Sequence, residues 1–237
     1  MVRTDGPVTA QAGAQFLGSW VNVGGKISAM QKSLFESAVR GELGPAQVRN
    51  ARTGAVTKGA QTSQLLSNRP KVDLAASEQF LTDVANTRNR LWVTTPYIGS
   101  DEIAKPLREA AAAGKDVRII VPGMKSGRNL KLLAVSRTYY SDLLKAGAKV
   151  YELPSMMHAK SWISDDVTAV GSMNMSKNSF KAASELVLRS TGTELQEQYL
   201  KFFRDTMAAS HELTVDEMHG FGLDALTAVR KKLNLQF

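Results

Sequence analysis

Short apolar runs of about five residues alternate along this chain with longer stretches in which apolar residues recur every three to four positions. Five stretches have the helical spacing, at residues 10–21, 27–38, 74–87, 101–113 and 130–146. Six runs are typical of strands, at residues 91–95, 117–121, 149–153, 157–164, 168–173 and 185–189. Because helices lie between strands, the pattern predicts a layered α/β domain.

Glycines and polar residues mark where these elements end. Gly114 and Gly147 each stand between a predicted helix and the next strand, where a helix C-cap favours glycine. The segment 41–70 is rich in Gly, Gln, Thr and Ser, which predicts an irregular connection or a loop over a site. We therefore divide the chain into a helical and irregular N-terminal segment, 1–70, and a candidate catalytic domain, 71–237.

Residues 158–174, HAKSWISDDVTAVGSMN, carry the side chains with the clearest chemistry. Cleaving a phosphodiester without a metal needs a nucleophile, cations for the non-bridging oxygens and an acid for the leaving alcohol. His158 suits the first role and Lys160 the second. Ser172 and Asn174 are short neutral donors that can hold phosphate oxygens or orient the lysine. The motif therefore predicts half of a phosphodiester-cleaving site.

A nucleophilic imidazole also needs an acceptor for its second ring nitrogen, which sets the tautomer. Glu185, within the apolar run 182–188, is the candidate for this acceptor. The alternative is that Glu185 is an ordinary exposed strand residue.

The spacing also predicts how these side chains meet. Residues two apart on a strand share a face, so His158 and Lys160 lie together. Ser172 and Asn174 share a face for the same reason. A three-residue hairpin turn at 165–167 would place Lys160 opposite Ser172, and His158 opposite Asn174.

This motif resembles the HxK(x)4D(x)6GSxN signature of the phospholipase D superfamily. Five residues rather than six separate Asp165 from Gly171, and we place this deletion at the hairpin tip, where loops tolerate it. The resemblance implies a catalytic group of His158, Lys160, Asp165 and Glu185, in which the aspartate of the family is usually structural.

Further segments are similar to the C-terminal half of bacterial cardiolipin synthases, at residues 95–102, 117–122, 137–147 and 150–152. Gly6, Phe16 and Trp20 resemble the segment that lies between the two halves of such enzymes. The resemblance implies a layered α/β/α phospholipase D-like fold with a mixed central sheet. It also implies cleavage or transfer of a phosphatidyl group through a phosphohistidine at His158.

Enzymes of this kind carry the signature twice, because one histidine attacks phosphorus and the other protonates the departing alcohol. This chain has one copy, and neither His211 nor His219 is followed by a lysine two residues on. We therefore expect the second copy to come from a homodimer mate or from a complementary half.

Charge and composition indicate which class of molecule the chain binds. The 237 residues carry a formal net charge of +8, which indicates a polyanionic partner, either an anionic lipid surface or nucleic acid. Aromatic residues are 7% of the chain and do not alternate with basic ones, which favours lipid over single-stranded nucleic acid. Eight cations precede the signature and could ring the entrance for an anionic substrate, unless they form an ordinary solvated face: Lys115, Arg118, Lys125, Arg128, Lys131, Arg137, Lys145 and Lys149.

Other features exclude whole classes of chemistry. The absence of cysteine excludes disulfides and thiol catalysis. No spacing of His, Asp and Glu is typical of a metal site, so we expect neither a metal nor another cofactor. No apolar run approaches the roughly 20 residues that span a bilayer, and no signal-peptide core is present. The expected location is therefore the cytoplasm or the periphery of the inner membrane.

Three functions remain open at this point. The first is a cardiolipin synthase-like phosphatidyltransferase or phospholipase acting on anionic phospholipid at a membrane surface. The second is a homodimeric, metal-independent nuclease. The third is a non-catalytic half that binds phospholipid or a partner chain.

Overall fold

A computed structural model of the chain describes residues 7–22, 24–30, 32–33, 36, 47–49, 56–58, 62–126, 130–219 and 221–233. The chain divides into two compact units, Met1–Leu65 and Leu66–Phe237, and each is described by itself. The functional boundary predicted between residues 70 and 71 stays a prediction.

The first unit begins with helix α1, Pro7–Asn22, which confirms the helix predicted at 10–21. It continues with strands β1 (Gln47–Arg49) and β2 (Val56–Lys58), which pair antiparallel. The helix predicted at 27–38 lies partly outside the described residues. Of the described ones there, 29, 30, 32, 33 and 36 are helical.

The second unit contains a large mixed sheet, in the strand order β11-β7-β6-β5-β8-β9-β10-β3-β4. The strands β5, β6 and β7 run parallel, whereas β8 pairs antiparallel with both β5 and β9, and β9 pairs antiparallel with β10. The predicted mixed sheet is therefore confirmed. The strands are β3 (Thr62–Arg69, of which 66–69 belong to this unit), β4 (Asp73–Leu74), β5 (Arg90–Thr94), β6 (Asp116–Pro122), β7 (Lys149–Leu153), β8 (Ser161–Ser164), β9 (Val167–Gly171), β10 (Glu185–Thr191) and β11 (His211–Glu212).

Three helices of this unit match the predictions to within one residue: α2 (Ala75–Asn86), α3 (Asp101–Ala112) and α4 (Leu130–Lys145). Three more are not among the predicted elements: α5 (Lys177–Lys181), α6 (Thr193–Ala208) and α7 (Phe221–Leu233). None of the helices among the described residues is long and apolar enough to cross a bilayer.

Alternate residues of the central strands face two separate hydrophobic cores, as the two-residue period of a strand requires. On β5, Leu91 and Val93 join the larger core, which includes Phe80 of α2. Trp92 points to the other face, where it packs with Phe203 of α6. Helices therefore cover both faces of the sheet, and the predicted α/β/α layering is confirmed.

Glycine ends two of the helices as predicted. Gly114 has φ 80° and donates its N–H to the Ala111 carbonyl at 2.9 Å. Gly147 has φ 97° and donates to the Leu144 carbonyl, also at 2.9 Å. Both occupy the left-handed region that a side chain resists, so each helix stops and the next strand begins.

The prediction of an irregular segment at 41–70 is wrong for residues 47–49 and 56–58, which form strands β1 and β2, and above all for residues 62–69, which form strand β3. Its polar composition conceals the strand, because polar positions are buried and satisfied there. Asn68 is fully buried and donates from Nδ2 to Ser77 Oγ at 2.6 Å and to the Ser179 carbonyl at 2.9 Å. A hydrophobic pattern cannot reveal a core position of this kind.

Candidate active site

Four of the signature residues, His158, Lys160, Ser172 and Asn174, lie at one edge of the sheet because neighbouring strands begin and end there. Strand β5 ends at Thr94, which pairs with Ser161 at the start of β8. Ser161 also pairs with Val170, next to the last residue of β9. Gly171 ends β9 opposite Val187, near the start of β10. The loops before β8 and after β9 therefore meet at this edge.

The hairpin register differs by one residue from the prediction. Ser164 pairs with Val167, so the turn has two residues rather than three. Lys160 consequently lies opposite Gly171, whose N–H donates to the Lys160 carbonyl at 3.0 Å, and not opposite Ser172. The two-residue turn forms because Asp165 adopts φ 49°, a conformation that aspartate tolerates better than most residues.

The strand predicted at 157–164 begins only at Ser161. His158 and Lys160 therefore lie in the irregular segment between β7 and β8, and the rule that residues two apart share a face does not apply to them. Likewise β9 ends at Gly171, so Ser172 and Asn174 lie beyond the regular strand.

Lys160 is buried, with 7% of its surface exposed, and His158 is exposed. The Lys160 ammonium donates a hydrogen bond to the His158 carbonyl oxygen at 2.8 Å. Burial lowers the pKa of Lys160 below its ordinary value, and the negative charge of Glu185 opposes this shift. The structure thus brings Lys160 into the neighbourhood of both His158 and Glu185.

Glu185 is held by a hydroxyl group. Ser172 Oγ donates a short hydrogen bond to Glu185 Oε2. The same hydroxyl accepts a hydrogen bond from the Leu186 N–H at 3.0 Å, while the Ser172 N–H donates to the Leu186 carbonyl at 3.0 Å. A hydrogen bond between Glu185 and the His158 ring stays a prediction.

Gly171 makes this arrangement possible. A Cβ at this position would lie 2.2 Å from the Leu186 carbonyl oxygen and 2.8 Å from Val187 Cα, so no larger residue fits without moving β10. The glycine of the motif therefore allows the close approach of the strand that carries Glu185.

Asn174 lies near the surface, but its Oδ1 atom is buried and has no hydrogen-bond partner among the described residues. The residue before it, Met173, is fully buried. The Met173 Sδ atom accepts weak hydrogen bonds from Asn68 Nδ2 at 3.6 Å and from Ser77 Oγ at 3.5 Å. The loop after β9 is thus fixed to β3 and α2.

Asp165 lies away from the other signature residues, and its predicted place in the catalytic group stays a prediction. It lies at the far end of β8, about 16 Å of extended chain from Lys160. Its carboxylate accepts hydrogen bonds from the N–H groups of Arg88, Asn89 and Arg90 at 2.7, 3.0 and 2.9 Å. Burial raises the pKa of Asp165, but these hydrogen bonds outweigh it and leave the pKa below its ordinary value.

A buried ion pair that hydrophobic periodicity does not reveal joins two of the strands that position the site. Asp83 of α2, 3% exposed, binds Arg189 of β10 through both carboxylate oxygens at 2.9–3.1 Å. It also accepts a hydrogen bond from Trp162 Nε1 of β8 at 3.0 Å. This carboxylate therefore joins the strand that follows Lys160 to the strand that begins with Glu185.

More than half of the chain matches the model of a known family. The model for the family described as "Cardiolipin synthase, PLD-like domain" matches residues 80–207, more than half of the chain. The chain belongs to this phospholipase D-like family.

Two curated relatives carry the cardiolipin synthase name. Cardiolipin synthase 2 of Bacillus anthracis is 34% identical over 139 residues, which cover 57% of this chain and 27% of that protein. Cardiolipin synthase A of Pseudomonas putida is 29% identical over 141 residues, which cover 58% of this chain and 29% of that protein. The match therefore spans between a quarter and a third of these relatives.

Solved structures of the phospholipase D family share the fold. Nuc from Salmonella typhimurium, described as a phospholipase D family member, superposes with a TM-score of 0.54 at 19% identity, over 65% of this chain and 99% of that one. Phosphatidylserine synthase from Haemophilus influenzae gives a TM-score of 0.60 at 11% identity, over 89% of this chain and 54% of that one. At these identities the likeness shows the fold alone.

Acidic partners neutralise several cations that sequence analysis placed around the entrance of this phospholipase D-like domain. Arg128 and the side chain of Lys131 lie outside the described residues. The paired cations and their partners are Arg118 with Asp116, Arg137 with Glu152, and Lys149 with Glu212.

No cluster of His, Asp or Glu able to hold a metal ion occurs within the described part of the chain.

Proposed function

We propose that this chain is the phosphatidyl-transferring or phosphatidyl-hydrolysing half of a cardiolipin synthase-like enzyme. The observation that carries the proposal is the arrangement of Lys160, Ser172 and Glu185 at one sheet edge. At this edge the buried Lys160 donates a hydrogen bond to the main-chain carbonyl of His158, and the charge of Glu185 raises the pKa of the lysine.

In the proposed reaction, a nitrogen of the His158 ring attacks phosphorus and forms an N–P bond, while the P–O bond to the departing alcohol breaks. A histidine of a second signature gives its proton to that alcohol. Water or a lipid alcohol then attacks phosphorus, loses its proton to the second histidine, and releases His158. Lys160 and Asn174 stabilise the phosphate oxygens, and Glu185 holds the imidazole tautomer.

The second signature is a necessary part of this proposal. The described residues contain one signature histidine, and a histidine that has attacked phosphorus cannot also protonate the alcohol. We infer that a second copy of this chain, or a separate complementary half, supplies the other imidazole across a shared site.

The surroundings of the site support phospholipid over nucleic acid. Met156 is 38% exposed two residues before His158, and Leu186 is 36% exposed directly after Glu185. Apolar side chains beside a phosphate site suit a lipid better than a polyanionic strand, which favours cations. The ion pairs of Arg118, Arg137 and Lys149 further reduce the free positive charge.

The proposal is tested by incubating the purified chain with phosphatidylglycerol vesicles and, separately, with plasmid DNA, both without divalent metal. We expect phosphatidic acid or a phosphatidyl-transfer product, and we expect His158→Ala to abolish it. His219→Ala is the matched control, because this exposed histidine lies outside the signature and its loss should leave turnover intact.

Oligomeric state completes the test. Sedimentation should show a dimer if a second copy supplies the other imidazole. An inactive monomer that gains turnover when a chain carrying another signature is added supports a split enzyme. Cleavage of DNA without any lipid turnover would overturn the proposal in favour of the nuclease, and turnover that survives His158→Ala would exclude both.

A further inference from the structure

The Ser172 hydroxyl group has already used its only proton. A serine hydroxyl has one donor and two acceptor positions. Its proton lies on the hydrogen bond to Glu185 Oε2, and one acceptor position receives the Leu186 N–H at 3.0 Å. What remains is a single acceptor position.

A phosphate oxygen needs donors, because it is negatively charged at neutral pH. Ser172 could donate to it only by releasing Glu185, and a hydrogen bond to a carboxylate is among the strong ones in proteins. Breaking this hydrogen bond would also leave the negatively charged Glu185 carboxylate without its hydroxyl donor while a second anion binds nearby. Binding phosphate through Ser172 is therefore unfavourable on two counts.

We propose that Ser172 is a positioning residue that orients the Glu185 carboxylate, and that it does not bind the phosphate of the substrate. The effect that we expect on turnover rests on the proposed function. The effect that we expect on the position of the Glu185 carboxylate does not. It reverses the role that the sequence suggested for Ser172.

The local geometry explains how a hydroxyl can fix the carboxylate. The Ser172 N–H donates to the Leu186 carbonyl oxygen, and the Leu186 N–H donates in return to the Ser172 hydroxyl. The hydroxyl is thus tied to the same strand, β10, that carries Glu185. With Oε2 held, the other carboxylate oxygen, Oε1, is the one available to face Lys160 and the His158 ring.

The phosphate then has two remaining donors in the signature. Lys160 has three N–H bonds, of which one goes to the His158 carbonyl. Asn174 has an amide NH2 group beside its buried oxygen. Phosphate affinity should therefore depend on Lys160 and Asn174 and hardly on Ser172.

A double-mutant cycle separates the two roles of Ser172. We expect Ser172→Ala to lower kcat about tenfold or more and to change the affinity for inorganic phosphate less than about twofold. In a Glu185→Gln background the same substitution should have almost no further effect on kcat, because Ser172 acts through Glu185. Ser172→Thr keeps the hydroxyl and should restore most of the turnover.

Asn174→Ala is the comparison variant, expected to weaken the binding of inorganic phosphate about tenfold. The proposal is overturned if Ser172→Ala weakens phosphate binding to the same extent. It is equally overturned if the effects of Ser172→Ala and Glu185→Gln on kcat multiply, which would show independent roles.

A crystal structure of Ser172→Ala provides a readout that needs no activity. We expect the Glu185 carboxylate to leave its position while strand β10 stays in place. A carboxylate that does not move refutes the positioning role. If the wild-type chain shows no turnover with any partner but the carboxylate moves, the proposed function fails and the role of Ser172 in holding Glu185 stands.

Discussion

The ammonium group of Lys160 donates a 2.8 Å hydrogen bond to the main-chain carbonyl oxygen of His158, two residues earlier. The lysine proposed to bind phosphate therefore also fixes the backbone that carries the proposed nucleophile. Since an ammonium group has three donors, it can keep this hydrogen bond and still face a phosphate oxygen. The loop before β8 owes part of its order to a charge that is mostly buried.

The first prediction concerns the charge of this lysine. Burial lowers the pKa of Lys160, and Glu185 raises it. Glu185→Gln removes the opposing charge, so we expect the pKa of Lys160 to fall further. The pH at which Lys160 is half-modified by an amine-acylating reagent, followed by peptide mass spectrometry, should move to lower values in this variant. The exposed Lys105 serves as the internal control, and its modification curve should not move.

The second prediction concerns Asp165, which we assign to stability. The Asp165 carboxylate accepts hydrogen bonds from three main-chain N–H groups. In Asp165→Asn, an amide NH2 group, which cannot accept, faces at least one of these N–H groups. We expect the free energy of unfolding to fall by about 1–3 kcal/mol. Chemical denaturation measures this loss, and Asp166→Asn at the exposed neighbouring position should cost far less.

The same carboxylate gives a pH dependence. Because the pKa of Asp165 is lower in the folded state, its contribution is present above its ordinary pKa and is lost as the pH falls through the folded pKa. The difference between wild type and Asp165→Asn should therefore shrink below about pH 4. A difference that persists unchanged at pH 2 would contradict this account.

The third prediction concerns the buried pair of Asp83 and Arg189. Asp83→Ala leaves a mostly buried guanidinium without its partner, and Trp162 Nε1 loses its acceptor. We expect a loss of about 3–5 kcal/mol in the free energy of unfolding. Asp205→Ala breaks an exposed pair with Lys201 and should cost less than about 1 kcal/mol. Equal losses of unfolding free energy in the two variants would show that the buried pair stabilises the fold no more than the exposed pair does.

The fourth prediction concerns Gly171. Gly171→Ala places a methyl group 2.2 Å from the Leu186 carbonyl oxygen, so β10 must shift. We expect a destabilisation of about 1–3 kcal/mol, together with a loss of turnover because Glu185 moves with the strand. Gly222→Ala in α7 is the control, since nothing lies within 4 Å of its Cβ. Thermal denaturation and the lipid assay together distinguish a shifted site from simple unfolding.

Most of the layered fold follows from the sequence by itself. The strands β5 to β10 and the helices α2 to α4 were predictable because hydrophobic periodicity reports which side of an element is buried. Gly114 and Gly147 were predictable as helix ends because the left-handed conformation favours glycine at those positions. The sequence also singles out the candidate site residues of the motif, because the motif is local in sequence and its residue types are those that phosphate chemistry needs; their roles stay predictions.

Only the tertiary structure decided where those side chains lie and which groups they contact. The hairpin register depends on the hydrogen bonds between Asp165 and the main chain of residues 88–90. The buried ion pair joins Asp83 to Arg189, 106 positions later. The role of Ser172 depends on where Glu185 lies on a neighbouring strand. In each case a polar group is satisfied by a distant partner, and hydrophobic periodicity carries no record of which polar groups will meet. The sequence therefore determined the elements and the chemistry available, and the long-range hydrogen bonds determined the register and the contacts of the candidate site residues.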